Sequence, residues 1–90
     1  MTDKGQNDKN IRIGVITHYY SKLGVGIIKL EKELNLGDEI IIKGHSSDFK
    51  QKVEGLQFDH KDIVKGEKGQ DVGVKLKEKV REGDVVYIAK

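Results

Sequence analysis

Cysteine, proline and tryptophan are absent from the 90 residues, and alanine and methionine occur once each. Without cysteine there are no disulfides, no thiolate metal ligands and no thiol nucleophile. Without proline, the turns fall to glycine, of which there are 11. The shortage of Ala and Met removes the residues that helices favour. By contrast, 19 of the 32 apolar residues are Val or Ile, which favour strands. No apolar run approaches the ~20 residues needed to cross a bilayer. The polar N-terminus lacks the apolar core of a signal peptide, so a cytoplasmic chain is expected. Ninety residues make one domain with one modest core.

Charged residues make up 36% of the chain against a norm of ~25%. The 17 basic and 15 acidic residues nearly cancel, to +2, so nucleic-acid binding must be argued from where the charges lie. Lysine outnumbers arginine 15 to 2, and Lys/Glu richness points towards a thermophile source.

Residues 1–10 contain one apolar residue, the initiator, and read as a disordered tail. The domain proper is expected over 11–90. Six strand-like stretches follow: 11–19, 25–30, 39–43, 50–58, 72–76 and 85–89. The fourth is interrupted at Gly55, where a bulge would let Val53, Leu56 and Phe58 face inward. A helical alternative exists, since Leu23, Ile27, Leu30 and Leu34 are spaced 4, 3 and 4 apart. Gly24 and Gly26 would lie inside that helix at ~1 kcal/mol each, which favours strand for Val25–Leu30. An internal echo supports the β reading. Leu34-x-x-Gly37-Asp38-x-Ile40-x-Ile42 has the spacing of Val80-x-x-Gly83-Asp84-x-Val86-x-Ile88. Each copy is an apolar anchor, a Gly-Asp turn with positive φ at glycine, and an alternating strand.

Little in the chain is arranged for catalysis. Gly24-Val25-Gly26 lacks the third glycine and the Lys-Ser/Thr of a phosphate loop. His45-Ser46-Ser47-Asp48 holds the residue types of a hydrolase triad, but neighbours on one turn do not converge as a triad must. His18, His45 and His60 are too scattered for a metal motif, so neither metal nor cofactor is expected. The lysines carry more. Lys43, Lys50 and Lys52 form one run with His45. Lys75 and Lys77 alternate with Val74 and Leu76 in a second run, which Lys79 extends if the strand reaches that far and Arg81 continues, with Glu78 and Glu82 on the opposite parity. Both suit contact with RNA phosphates, and both equally describe a solvated face of a lysine-rich protein. Ile41 is expected to point outward between Ile40 and Ile42, as a single apolar contact point.

From Gly14 onward the chain resembles the second, β-barrel domain of translational GTPases such as elongation factor Tu and initiation factor two. The resemblance is carried by Leu36-Gly37-Asp38-Glu39-Ile40-Ile41-Ile42, by Val53-Glu54-Gly55-Leu56-Gln57-Phe58, by residues 64–66, by Gly69-Gln70-Asp71-Val72-Gly73-Val74-Lys75-Leu76 and by Gly83-Asp84-Val85-Val86. It is also similar to small stand-alone translation elongation factor-like proteins, and to barrels appended to U32 peptidases, some of which act in RNA hydroxylation. The GTPase domain is not within these residues, so no GTP binding is expected. In elongation factor Tu an acidic residue and an arginine lie near the aminoacyl end of tRNA. Those positions fall on Gln57 and His60, and neither charge is kept.

The expected fold is therefore all-β, a closed or nearly closed antiparallel barrel of six or seven strands. Its interior should hold Ile13, Val15, Ile28, Leu30, Ile40, Ile42, Val53, Leu56, Phe58, Val72, Val74, Leu76, Val86 and Ile88. The expected function is that of a non-catalytic adaptor in translation or RNA modification, contacting ribosomal RNA, tRNA or an RNA-associated protein. The alternatives are an accessory subunit completing a separately encoded U32-type enzyme, or a purely protein-binding module. The candidate RNA contacts are Lys43, Lys50, Lys52, Gln57, His60, Lys75, Lys77, Lys79 and Arg81.

Overall fold

A computed structural model describes residues 10–45 and 47–89. Nine of the ten residues expected as a tail, together with Ser46 and Lys90, lie outside that range, whereas Asn10 already belongs to the first strand. The described residues form strands and turns with no helix, so none is long and apolar enough to cross a membrane. The chain runs through β1 (Asn10–Tyr20), β2 (Val25–Leu30), β3 (Leu34–Asn35), β4 (Glu39–Lys43) and β5 (Asp48–Lys52). It continues through β6 (Leu56–Phe58), β7 (Lys61–Asp62), β8 (Lys65–Gly66), β9 (Asp71–Lys75) and β10 (Val85–Ala89). Eight strands make one sheet in the order β5-β4-β10-β1-β2-β9-β6-β7, and β3 pairs with β8. Every ladder is antiparallel. The strand alternative for residues 25–30 prevails because β2 pairs on both sides, with β1 and β9. Leu23, an apolar position of the rejected helix, is 63% exposed in the hairpin turn.

The long β1 does not keep a simple alternation. Its register slips between Arg12 and Gly14 against β10, and between Ile16 and His18 against β2. The two irregularities bury Ile13 and Ile16, three residues apart, and leave Val15 only half-buried. Gly14 sits where the strands come closest. A Cβ there would lie 2.6 Å from Ile28 Cγ2 and 2.7 Å from the Lys29 carbonyl oxygen.

The echo is repeated turn chemistry. Gly37 and Gly83 have φ of 93° and 95°. In one copy Asp38 Oδ2 accepts the Asn35 N–H at 2.8 Å, and in the other Asp84 Oδ2 accepts the Arg81 N–H at 3.0 Å. The anchors Leu34 and Val80 are both buried, additions to the expected interior. Two expected interior positions differ further. Ile88 is half-buried against the core, and Phe58 is 36% exposed. β6 pairs with β9 only through Leu56 and Gln57, so Phe58 lies beyond the β9 ladder, opposite Lys61 of the two-residue β7, and has no core to enter.

The stretch expected as one bulged strand is two strands. β5 pairs with β4 and β6 pairs with β9, so consecutive strands stand near opposite ends of the sheet order. Residues 53–55 join them. Val53 exchanges backbone hydrogen bonds with the Gly37-Asp38 turn, and the Gly55 carbonyl accepts the Lys75 N–H at 3.2 Å.

Candidate nucleic-acid interface

On β4 and β5, inward residues alternate with outward ones. Ile40, Ile42 and Gln51 are buried, while Glu39, Lys43, Asp48, Lys50 and Lys52 are exposed. The register sets Lys43 opposite Asp48, Lys52 opposite Glu39, and Lys50 opposite Ile41. Ile41 does lie on the outer side of β4, half-buried, with Tyr87 as its other neighbour.

The second lysine run departs from expectation. β9 ends at Lys75, so Lys77, Lys79 and Arg81 do not extend a strand. All four side chains are exposed. What organises them is polar and buried. The Gln51 carboxamide donates to the Lys75 carbonyl at 2.8 Å and accepts the Lys77 N–H at 2.8 Å. One side chain thus makes the pair of bonds that a residue of a parallel strand opposite Leu76 would make. Further along, the Ser47 hydroxyl donates to Asp84 Oδ2 at 2.7 Å and lies 3.5 Å from the Lys79 carbonyl oxygen. Ser47, Gln51 and Asp84 are the buried polar side chains among the described residues, and all three stitch residues 75–84 onto the β5 side. Two lysine runs that are 23 or more residues apart in sequence are thereby laid side by side. The sequence signal for Gln51 was a polar residue at an inward position between two lysines. Ser47 carries only the triad signal in the sequence, and as a nucleophile it is unsuited, being buried and committed to Asp84.

Gln57 and His60 lie elsewhere, around a groove of about 370 Å³ over the outer side of β2, β9 and β6. Val25, Ile27 and Gly73 floor it, and Tyr20, Asp59, His60 and Asp71 stand around it. Gln57 Nε2 donates to Asp62 Oδ1 at 3.0 Å. The two-residue turn from β6 to β7 holds Asp59 and His60 at φ of 55° and 63°, a left-handed pair that non-glycine residues adopt at a cost of about 1 kcal/mol or more each. Lys75 joins Gln57 and Gly73 around a neighbouring depression, which places one lysine of the second run beside that groove.

Gly73 is not demanded by the fold. An added Cβ would meet Val25 Cγ1 at 3.4 Å and Ile27 Cδ1 at 3.7 Å, ordinary contacts, and its φ is not positive. Gly73→Ala is therefore expected to stabilise the protein by about 0.4–1 kcal/mol in urea unfolding, through loss of unfolded-state freedom. A destabilised variant would show that the backbone there is under tension.

Of the two arginines, Arg12 is engaged by Glu31 through two hydrogen bonds of 3.0 Å. That hydrogen-bonded carboxylate raises the guanidinium pKa further. No group of three or more His, Asp or Glu among the described residues is placed to hold a metal.

No family model matches the chain. It is 41% identical over 83 residues to an uncharacterized protease of Methanocaldococcus jannaschii, covering 91% of this chain and 20% of that protein. It is 38% identical over 85 residues to a collagenase of Porphyromonas gingivalis, covering 92% of this chain and 20% of that protein. The chain thus spans about a fifth of the length of these curated relatives. Among solved structures, the C-terminal domain of a Geobacillus thermoleovorans protein assigned to the U32 peptidases superposes with a TM-score of 0.81 at 17% identity. That match covers 87% of this chain and 91% of the domain. A bacterial selenocysteine-specific elongation factor superposes with a TM-score of 0.67 at 20% identity, covering 93% of this chain and 15% of the factor. The translation-factor likeness therefore holds at the level of fold, and the U32 C-terminal domain is the better superposition of the two.

Proposed function

We propose that the chain is a non-catalytic accessory module for a U32-type protein, built as a six-stranded barrel. The barrel follows if β5 and β6 are one interrupted stave, pairing with β4 at one end and β9 at the other. β1, β2, β9, β4 and β10 are then the remaining staves. The Gln51 bridge to residues 75 and 77 supports that closure, because it spans the two halves where no ladder runs.

The observation that carries the functional reading is the pattern of likeness. A chain of this size matches a fifth of each curated relative, while nearly all of a U32 C-terminal domain superposes on it. Peptide hydrolysis would reside in the partner, since among the described residues the one serine hydrogen-bonded to an aspartate is buried beneath the seam. Immunoprecipitation of the native protein from its own cells, with and without RNase, tests this. A U32-type protein recovered in equal amount under both conditions is the expected result. Recovery of ribosomes or tRNA that RNase abolishes, with no such protein, would replace the accessory reading with a translation adaptor.

A further inference from the structure

Positive charge is concentrated along the seam. Residues 43–52 and 75–82 hold seven of the 17 basic side chains but only three of the 15 acidic ones, so the remainder of the chain is net acidic. Pairing is a lesser contrast, since among the described residues Lys22, Lys32, Lys61 and Lys68, all away from the seam, form no ion pair either. Away from the seam, Lys29 lies within 4.0 Å of Asp71, Lys65 within 3.5 Å of Glu33, and Arg12 is held by Glu31. Among the described residues, Lys50, Lys52, Lys75, Lys77 and Lys79 form no ion pair. Glu82, an acid of the second run, is turned to His18 at 3.5 Å.

We propose that this seam binds the phosphate backbone of single-stranded nucleic acid, gripped jointly by Lys50 and Lys52 on one side and Lys75 and Lys77 on the other. On β5, Lys50 and Lys52 project on the same side about 7 Å apart, with inward Gln51 between them. Lys75 and Lys77 flank buried Leu76 in the same way. The Gln51 carboxamide holds the two pairs within the reach of one side chain. Two rows of ammonium groups with a seam between them suit a single row of phosphates. A protein partner fits less well, because protein interfaces are anchored by apolar and aromatic side chains. Apart from Gly44 and His45, the described residues exposed here are charged, and no exposed Phe, Tyr or Trp stands in either run. Recognition would accordingly read the backbone and be indifferent to base sequence. Gln51 is a positioning residue in this scheme, touching no phosphate.

The inference stands apart from the U32 reading, because its test contains no partner protein. Fluorescence anisotropy with a 20-nucleotide oligouridylate, from 25 to 250 mM KCl, gives affinity and its salt dependence. Lys50→Gln with Lys52→Gln, and separately Lys75→Gln with Lys77→Gln, should each flatten the log–log slope by about 1.4, at ~0.7 per phosphate contact. Lys29→Gln with Lys65→Gln, two substitutions away from the seam, should leave the slope unchanged. Gln51→Met keeps every lysine. Where circular dichroism shows it folded, it should weaken binding about tenfold at 50 mM KCl, because the two rows lose their mutual placement. No binding at 25 mM KCl overturns the proposal. So does equal loss from the Lys29/Lys65 variant, or displacement of the oligonucleotide by polyglutamate at matched charge. Wild-type affinity in a folded Gln51→Met protein overturns the joint grip.

Discussion

Urea unfolding of Ile42→Ala is expected to show a stability about 2–5 kcal/mol below that of the native protein. Ile42 is fully buried on β4, between Phe49 on β5 and Val86 on β10. Truncation removes its transfer free energy and leaves a cavity that the two ladders on either side of β4 keep from collapsing. A domain of this length has a total stability of only about 5–13 kcal/mol, so the variant should sit near the edge of folding at 37 °C. Ile41→Ala, one residue away on the outer side, should shift the same curve by less than 1 kcal/mol. Equal effects at the two positions would mean that β4 does not have the inward and outward faces assigned to it.

Asp84→Ala should lower stability by about 2–4 kcal/mol in the same measurement. The carboxylate is 3% exposed and accepts both the Ser47 hydroxyl and the Arg81 N–H. Its removal leaves the buried Ser47 hydroxyl only the long 3.5 Å contact to the Lys79 carbonyl and opens the Gly83-Asp84 turn. Asp38→Ala, at the corresponding place in the other copy, should cost only about 1 kcal/mol, because Asp38 is half-buried and accepts one backbone N–H. Ser47→Ala in the Asp84→Ala background should recover part of the loss, since no buried hydroxyl then depends on that long contact. Strict additivity of the two substitutions would show that the Ser47–Asp84 bond carries none of the effect.

Strand segments are readable wherever β-branched residues dominate a stretch of about five positions after a turn signal, as in Glu39–Lys43 and Val85–Ala89. The Gly-Asp echo was readable down to the sign of φ, because only glycine takes that conformation cheaply. Ile16 was not, because a bulge changes the phase of burial and nothing in the local sequence of β1 marks where the register slips. Phe58 departs from its expected inward place for a related reason. Its parity points inward, but parity does not say where the opposing strand stops. Strands of two residues, β3, β7 and β8, carry no periodicity at all. At the candidate interface, each lysine run was legible as a run. Their adjacency was not, because it depends on hydrogen bonds between Gln51 and backbone groups 24 and 26 residues away.

The Gln51 bridge also bears on self-association. Open backbone groups beyond the last paired residue of a strand invite a second copy to add a strand of its own, the first step towards fibrils. At residues 75 and 77 those groups are occupied by a carboxamide, which satisfies one donor and one acceptor and cannot be extended into a longer ladder. The strands that end the sheet order offer little more. β7 is two residues long, and β5 carries Lys50 and Lys52, whose like charges would face any copy docking in register. A chain this rich in valine and isoleucine is thereby kept from growing edge to edge.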